Sequence, residues 1–342
     1  MFTTLCIAML FSLFSCKKSP EPPSTPTEPA KTLIGFSLST LKEDRWLRDR
    51  DIFSAKAKQA GYEVIVTNAN NDSGLQLRQV KDMISQHISI LVLVPNDAKQ
   101  SADCVEAARS AGIRVISYDR LVLDATVDAY ISFDNVKVGR LEGMYLLNAA
   151  PKGGMLILNG SPDDHNCTMF NEGYMTALQD ALDDHQIIIL DQTWVQDWTR
   201  ETACDFVKEA ITKYGGRIKG IIAANDSLAW GAIDALSEAQ MSGDVQVVGE
   251  DADLAACQRI VQGTQLMTVY KPITNLVDQT LDVCKLLLAG KPVESGQTIN
   301  NGKMDVPYIM CDVIAVTKEN MDSTVIRDGF QLRSDVYGNS GD

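Results

Sequence analysis

Charged and amide side chains come at the ends of short apolar runs at several points along this 342-residue chain. Asp119 and Arg120 follow one such run, Asn225 another, and Asp251 and Lys271 two more. Together these groups can donate and accept hydrogen bonds, which suits a ligand that carries several hydroxyl groups. At each single position, capping of a following helix explains Asp or Asn equally well. Their repetition favours one shared polar site, and the carboxylate of Asp251 offsets cationic charge, so the ligand need not be an anion.

Short apolar runs alternate with segments of helical periodicity from residue 32 onward, and these elements must position the polar residues. Strands are expected at 33–38, 63–67, 90–94, 114–118, 155–158, 187–190, 218–223 and 245–248, and helices near 49–60, 75–86, 101–111, 169–181, 202–214 and 228–239. Apolar strands with helices between them predict parallel sheets covered on both faces. Two such sets predict an α/β fold of two doubly wound lobes, in which ligands bind beyond the carboxyl ends of the strands.

The N-terminus has the pattern of an export signal. An apolar run at 5–14, too short to span a bilayer as a helix, is followed by Ser15 and Cys16, which predicts a signal peptide over residues 1–15. The position of Cys16 resembles the cleavage site of bacterial lipoproteins, at which this cysteine would carry a lipid; an ordinary signal peptide with an unrelated cysteine is the alternative. Residues 16–31 hold five of the eleven prolines and predict an extended tether. We therefore expect a periplasmic or extracytoplasmic protein, lipid-anchored to a bacterial membrane.

Composition excludes several classes of function. Lys and Arg total 31 against 45 Asp and Glu, and a net charge of −14 argues against nucleic acid as a partner. The cysteines of the body show no C-x-x-C pair, which predicts buried thiols and no zinc site. An oxygen-rich loop at 68–74 lacks the glutamate of a calcium loop, so we expect no metal and no cofactor. These cysteines are Cys104, Cys167, Cys204, Cys257, Cys284 and Cys311.

Several segments carry a family resemblance through their order along the chain. They are Glu-Asp-Arg-Trp at 43–46 with 49–53, Ser-Tyr-Asp-Arg at 117–120, 130–135, Gly-Ser-Pro at 160–162, 194–198, Ala-Asn-Asp at 224–226 and Gly-Thr-Gln-Leu-Met-Thr-Val-Tyr-Lys-Pro at 263–272. With them, the chain resembles the sugar-binding proteins of ABC importers, which have the type I periplasmic binding protein fold, and in particular the members that bind D-xylose. The resemblance extends from about residue 32 to 314.

The resemblance implies two lobes joined by a three-segment hinge, closing on a monosaccharide that is then delivered to an ABC permease in the membrane by a monomeric binding protein. The lobes would comprise 32–133 plus about 271–305, and 134–270 plus about 306–320, followed by a polar tail at 321–342. The ligand-binding residues it implies are Arg45, Trp46, Asp119 and Arg120 from the first lobe, Asn166, Trp198, Asn225 and Asp251 from the second, and Lys271 from the hinge.

A pyranose has hydroxyl groups around its rim and faces rich in C–H groups, so it needs polar partners at its edge and an aromatic ring against a face. Adjacent Asp119 and Arg120 match vicinal hydroxyls. Trp198, between polar residues at the start of a predicted helix, suits the aromatic position, with Trp46 as a second ring. Trp194 is expected to pack in the core.

Other functions would require features that this sequence lacks or shares with a sugar-binding protein. A sugar-responsive repressor would need a basic helix-turn-helix where the signal and tether are predicted. The motifs of nucleotide-binding enzymes, zinc proteases and serine hydrolases are missing from the sequence, so we expect no enzyme. A sensor that feeds a chemoreceptor or membrane kinase would use the same cleft and stays open. Glucose, galactose, ribose and arabinose stay open beside xylose, because a small difference in pocket shape separates them.

Overall fold

The computed structural model describes residues 2–3 and 32–338, and the chain divides into two units, residues 1–31 and 32–342. Apart from residues 2–3, the signal peptide expected at 1–15, the anchor at Cys16 and the tether to residue 31 lie outside the described residues. Among the helices that are described, none is long and apolar enough to cross a membrane.

The body alternates strands and helices. In chain order the elements are β1 (Leu33–Leu38), α1 (Asp44–Gln59), β2 (Glu63–Asn68), α2 (Ser73–Ser85), β3 (Ile90–Leu93), α3 (Ala102–Ser110), β4 (Arg114–Tyr118), β5 (Ala129–Phe133), α4 (Asn135–Ala149), β6 (Gly153–Asn159), α5 (His165–Asp183), β7 (Ile187–Trp194), α6 (Arg200–Tyr214), β8 (Ile218–Ala223), α7 (Asp226–Glu238), β9 (Gln246–Glu250), α8 (Leu254–Gln262), β10 (Met267–Tyr270), α9 (Ile273–Leu288), β11 (Thr298–Asn300), β12 (Asp305–Cys311), β13 (Ile314–Val316) and α10 (Arg333–Tyr337). The predicted α/β class is confirmed.

A seven-stranded sheet forms the first lobe, in the order β11-β12-β5-β4-β3-β1-β2. Side chains along a strand point alternately to its two faces, and both faces here are apolar. Ile90 and Val92 of β3 join one hydrophobic cluster, while Leu91 and Leu93 join another. Helices α1 and α9 pack together on this sheet, as do α2 and α3. Burial on both faces explains why the central strands have apolar sequences without alternation.

The second lobe is a six-stranded sheet in the order β13-β10-β9-β8-β6-β7, in which only β13 is antiparallel to its neighbour. The helix pairs α4 with α5 and α6 with α7 cover it. Strands β6, β8, β9 and β10 are parallel, so their carboxyl ends meet at one edge of the sheet. The same holds in the first lobe for β1, β3, β4 and β5.

The chain crosses between the lobes three times, after β5, after β10 and after β12. The third crossing lies between Cys311 and Ile314, later than the expected boundary near residue 305. The reason is that β12 pairs in parallel with β5 of the first sheet, from Tyr308 opposite Tyr130 to Cys311 opposite Phe133. The prediction that residues from about 306 belong to the second lobe is therefore wrong for β12.

The segment expected as a polar tail is a packed part of the body up to residue 337. Residues 322–326 form a π-helical turn, α10 follows, and α10 packs against α8 of the second lobe. Met321, Val325, Phe330 and Val336 are buried. These apolar residues are separated by three to five others, mostly polar, so the sequence reads as polar although one side of the segment is apolar.

The six cysteines of the body are free thiols, and five of them are buried, which confirms the prediction of mostly buried thiols. Burial raises the pKa of Cys104 and Cys284 to about 12. Such thiols stay protonated and inert at neutral pH.

Candidate functional site

One cavity between the two lobes collects the polar strand ends of both sheets. Its empty space amounts to about 310 Å³ including its open mouth. All nine binding residues expected from the sequence line it: Arg45, Trp46, Asp119, Arg120, Asn166, Trp198, Asn225, Asp251 and Lys271. Four further residues line it that the sequence analysis did not select: Glu43, Asp164, Phe170 and Glu250.

Arg45, on the first turn of α1, is the central cation of the first-lobe wall. Its Nη2 lies 2.6 Å from Oδ2 of Asp119 and 3.4 Å from Oδ2 of Asp49, and its Nη1 lies 3.5 Å from Oδ1 of Asp251 in the second lobe. Burial alone would raise the pKa of Asp119, but the guanidinium of Arg45 and the ammonium of Lys271 hold it below its ordinary value. Asp119 is therefore an ionised acceptor inside the cavity.

The backbone conformation and hydrogen bonds of Asp119 determine where its side chain lies. Its φ of +62° is left-handed, a conformation that Asp tolerates better than most residues. The backbone N–H of Asp119 donates to the carbonyl of Ile131 at 2.8 Å, and its carbonyl accepts from Oγ of Ser132 at 2.5 Å. Nδ2 of Asn166, at the start of α5, donates to the same carbonyl from the other lobe at 3.2 Å. The bonds to Ile131 and Ser132 fix the turn after β4 against β5, and the bond from Asn166 adds a contact from the second lobe.

Trp46 lines the cavity, and its ring contacts two arginine side chains. The guanidinium of Arg45 lies 4.2 Å from the centre of its ring and that of Arg120 lies 5.2 Å from it, both within cation–π range. The ring therefore supports the two arginines at the cavity wall. Arg120 in turn donates from Nη1 to Oγ of Ser39 at 3.3 Å.

Asp251 and Asn225 occupy the ends of β9 and β8. Asp251 has a φ of +98° and the next residue, Ala252, a φ of +55°, so two successive residues with side chains are left-handed. Asn225 accepts at Oδ1 from the backbone N–H of Leu228 at 2.9 Å and caps α7. The capping explanation thus holds for Asn225, which lines the cavity as well.

Lys271, at the second crossing, joins the two walls electrostatically. Its Nζ lies 2.8 Å from Oδ1 of Asp251 and 3.1 Å from Oε1 of Glu250. Burial opposes its charge, but these carboxylates and Asp119 raise its pKa above the ordinary value. Burial raises the pKa of Glu250 to about 8, against the lowering effect of Lys271.

Trp198 forms an apolar part of the wall from a short turn before α6. It is 8% exposed, and the turn gives it a φ of +54°. Gly160, at the end of β6, makes room for the ring, because a Cβ at this position would lie 2.2 Å from Cη2 of Trp198. Phe170 of α5 adds a second ring. Trp194, expected in the core, is 42% exposed at the end of β7, so that expectation is wrong.

The four lining residues that were not predicted from the sequence were missed for different reasons. Glu43 precedes α1 and Phe170 lies within α5, so neither follows a strand. Glu250 is the last residue of β9, one position before the selected Asp251. Asp164 caps α5 by accepting from the backbone N–H of Asn166 at 3.0 Å, and that signal is visible in the sequence. His165, its neighbour, lines a separate groove with Pro162.

The lining carries three cationic side chains and five acidic ones. Burial is the largest effect on Glu43, Asp164 and Glu250 and raises the pKa of each. Within the described part of the chain, buried polar atoms of the lining have no hydrogen-bond partner, including Oε2 of Glu43, Oε2 of Glu250 and Nε1 of Trp198. Buried polar atoms are normally satisfied, so these atoms are suited to hydrogen bonds with a polar ligand. In the same part of the chain, no group of three or more His, Cys, Asp or Glu is arranged to hold a metal ion.

The chain is similar to known proteins along most of its length. The periplasmic binding protein domain family matches residues 34–292. A D-xylose-binding periplasmic protein of Haemophilus influenzae is 40% identical over 304 residues, which cover 89% of this chain and 92% of that protein. The D-xylose-binding periplasmic protein of Escherichia coli is also 40% identical, over 303 residues with the same coverage of 89% and 92%.

Two solved structures are similar along nearly the whole body. A carbohydrate transporter solute binding protein from Chloroflexus aurantiacus, in complex with D-glucose, has a TM-score of 0.84 at 31% identity and covers 91% of this chain and 99% of its own. An ABC transporter solute binding protein from Clostridium phytofermentans, with bound β-D-glucose, has a TM-score of 0.82 at 26% identity, over 89% of this chain and 100% of its own.

Proposed function

The chain belongs to the periplasmic binding protein domain family, and from this premise we propose that it captures a monosaccharide between its two lobes and delivers it unchanged to an ABC importer. D-xylose is the proposed ligand, because the relatives at 40% identity are named for it. Binding makes and breaks no covalent bond, and we assign the chain no enzymatic step.

The observation that carries this proposal is the convergence of the nine expected residues on one cavity with ionic and aromatic parts. The carboxylates of Asp119 and Asp251 are placed to accept from sugar hydroxyls, and Arg120 and Lys271 to donate to them. Hydrogen bonds to charged groups contribute roughly 1.5–3 kcal/mol each, so a few of them account for a substantial affinity.

Apolar contact is the second part of the proposed recognition. A pyranose presents C–H groups on its faces, and the rings of Trp198 and Phe170 are the aromatic groups of the lining other than Trp46. Two guanidinium groups already lie over the ring of Trp46, so we assign the stacking to Trp198 and Phe170. A pentose and a hexose differ by one hydroxymethyl group, a difference that a pocket of this size can detect by shape.

We further propose that sugar binding stabilises the closed arrangement of the lobes and that the permease recognises this arrangement. A ligand can shift such an equilibrium only by its difference in affinity for the two states, and a ligand held by both lobes has that difference. A lipid on Cys16 and the proline-rich tether would keep the protein at the outer surface of a membrane, near its permease.

Isothermal titration calorimetry of the purified protein tests the function. D-xylose, D-glucose, D-galactose, D-ribose and L-arabinose form the panel, and we expect D-xylose to bind most tightly. Asp251→Ala serves as the binding-deficient control, with affinity at least about tenfold weaker, or about 1.4 kcal/mol, and circular dichroism unchanged. Absence of heat with every aldose, together with an unchanged melting temperature, would contradict the proposal.

A further inference from the structure

The turn at Asp251 and Ala252 is strained, and something must hold it. Left-handed φ values of +98° and +55° at two successive residues with side chains persist only where the surroundings impose them. The backbone N–H of Asp251 donates to the carbonyl of Val269 at 2.9 Å, and that of Ala252 donates to Oγ1 of Thr268 at 3.1 Å. Strand β10 therefore holds the two N–H groups of the turn.

The carbonyl of this turn is held by the C-terminal segment. Nε2 of Gln331 donates to the carbonyl oxygen of Ala252 at 2.8 Å, and Sγ of Cys257 approaches the same oxygen at 3.5 Å. Gln331 is 5% exposed, so the hydrogen bond that its side-chain amide donates is shielded from competing water. The donor lies 79 residues along the chain from its acceptor. The Ala252 carbonyl belongs to the peptide unit that follows Ala252, so this bond holds the far side of the turn whose first residue, Asp251, carries the carboxylate that lines the cavity.

The same glutamine reaches the first lobe. Nη2 of Arg48, one turn after Arg45 on α1, donates to Oε1 of Gln331 at 3.3 Å, and Nη1 of Arg48 donates to the carbonyl of Phe330 at 2.6 Å. The Arg48 guanidinium also lies 4.4 Å from the centre of the Phe330 ring, which packs 4.8 Å from the ring of Tyr270 at the second crossing. The amide of Gln331 thus contacts one lobe through its oxygen and the other through its nitrogen.

We infer that Gln331 is a positioning residue for sugar binding. It holds the strained turn so that the Asp251 carboxylate faces the cavity, and through Arg48 it links that turn to the first lobe in the closed arrangement. The inference rests on the proposed function, because Asp251 matters to binding only if the cavity takes a hydroxyl-rich ligand. It gives the C-terminal segment a role in binding although Gln331 does not line the cavity.

Two substitutions distinguish the contact made by the amide nitrogen of Gln331 from the contact made by its oxygen. Gln331→Ala removes both contacts. Gln331→Glu keeps an acceptor for Arg48 but has no N–H group for Ala252. We expect both variants to bind the preferred aldose of the panel, with D-xylose as the first probe, about tenfold more weakly, mainly through faster dissociation. Calorimetry gives the affinity, and stopped-flow tryptophan fluorescence gives the dissociation rate.

The matched control is Gln258→Ala. Nε2 of Gln258 donates to the carbonyl of Asp335 at 2.8 Å, so this variant removes a bond of the same kind between the second lobe and the C-terminal segment, away from the turn. The inference requires that Gln258→Ala binds like the wild type.

Three results would overturn the inference: wild-type affinity in Gln331→Ala, wild-type affinity in Gln331→Glu, or an equal loss in Gln258→Ala. If Gln331→Ala does not fold, Gln331→Glu decides by the same criterion. A wild-type protein that binds no aldose would overturn the proposed function, and this inference with it. A wild-type protein that binds while the Gln331 variants bind equally well would overturn this inference alone.

Discussion

Arg120 of the first lobe and Asp164 of the second form a buried ion pair across the cavity, with 2.7 Å between Nε and Oδ2. Asp164 also caps α5, since its Oδ1 accepts from the backbone N–H of Asn166 at 3.0 Å. Burial raises the pKa of Asp164, against the lowering effect of Arg120. One carboxylate therefore orients a proposed sugar-binding arginine, starts the helix that carries Asn166 and Phe170, and ties the two lobes together.

We expect Asp164→Asn to weaken aldose binding by at least about tenfold with the fold intact. The asparagine oxygen can still cap α5, but the neutral amide leaves the Arg120 guanidinium without its charged partner, and an uncompensated buried charge is costly. Calorimetry measures the affinity. The control is Asp163→Asn, because Oδ2 of Asp163 bonds to the exposed Gln196 at 2.6 Å outside the cavity lining. An equal loss in both variants would contradict a specific role for Asp164.

Trp198→Ala should weaken aldose binding by at least about tenfold, because it removes an aromatic wall that is 8% exposed. Trp194→Ala is the matched control. This tryptophan is four residues away and 42% exposed, so its loss should leave affinity unchanged. Intrinsic fluorescence during titration tests the same two variants. The sugar-dependent signal should decrease in Trp198→Ala, in which Trp46 is the remaining tryptophan of the lining, and should be unchanged in Trp194→Ala. A persistent signal and full affinity in Trp198→Ala would exclude stacking on this ring.

The residues of the site that lie just beyond the ends of strands could be predicted from the sequence. Asp119, Asp251 and Lys271 each directly follow a strand, and Asn225 lies two residues after the end of β8. Parallel strands bring those ends together at one edge of each sheet. This rule does not identify binding residues that lie on helices. Phe170 is one of several apolar residues of α5 and nothing in its spacing distinguishes the cavity side from the core.

Other features depend on contacts between distant parts of the chain. The pairing of β12 with β5 sets the third crossing, and no local pattern records which sheet a short strand joins. The packing of Phe330 against Tyr270 makes the C-terminal segment part of the body, although the segment reads as polar. The support that Trp46 gives to two arginines is likewise visible only once α1 and the end of β4 are brought together.

The raised pKa of the buried Asp49 carboxyl predicts that the stability of the protein depends on pH. It is fully buried beneath Arg45, accepts a hydrogen bond from the hydroxyl of Tyr118, and burial raises its pKa from 3.8 to about 6. The folded state then binds this proton more tightly than the unfolded state, so the contribution of the group to stability is full below about pH 4 and is lost as pH rises through about 6. Asp119 acts in the opposite sense and at lower pH, because its pKa is lowered.

We expect the free energy of unfolding of the wild type, relative to Asp49→Asn, to fall by up to about 3 kcal/mol between about pH 4 and pH 7.5. Urea unfolding at both pH values measures this difference, and the subtraction cancels the titration of groups that do not interact with Asp49. Asp51→Asn, two residues along the same helix, is the control, since Asp51 is exposed and Arg50 lowers its pKa. A pH-independent difference between wild type and Asp49→Asn would contradict the raised pKa.

The N-terminal anchor is a prediction from the sequence alone. Cys16 directly follows the apolar run and Ser15, and a tether with five prolines follows it. A lipid on Cys16 would hold the protein on a membrane, and since stable anchoring takes more than one acyl chain, the modification must supply at least two. In the full-length chain expressed in a bacterium, we expect Cys16→Ser to move the protein from the membrane fraction to the soluble fraction without changing its aldose affinity. Cys6→Ser, within the apolar run, is the matched control and should stay in the membrane fraction. Membrane association that survives Cys16→Ser would show that residues 1–15 themselves hold the protein there as an uncleaved segment.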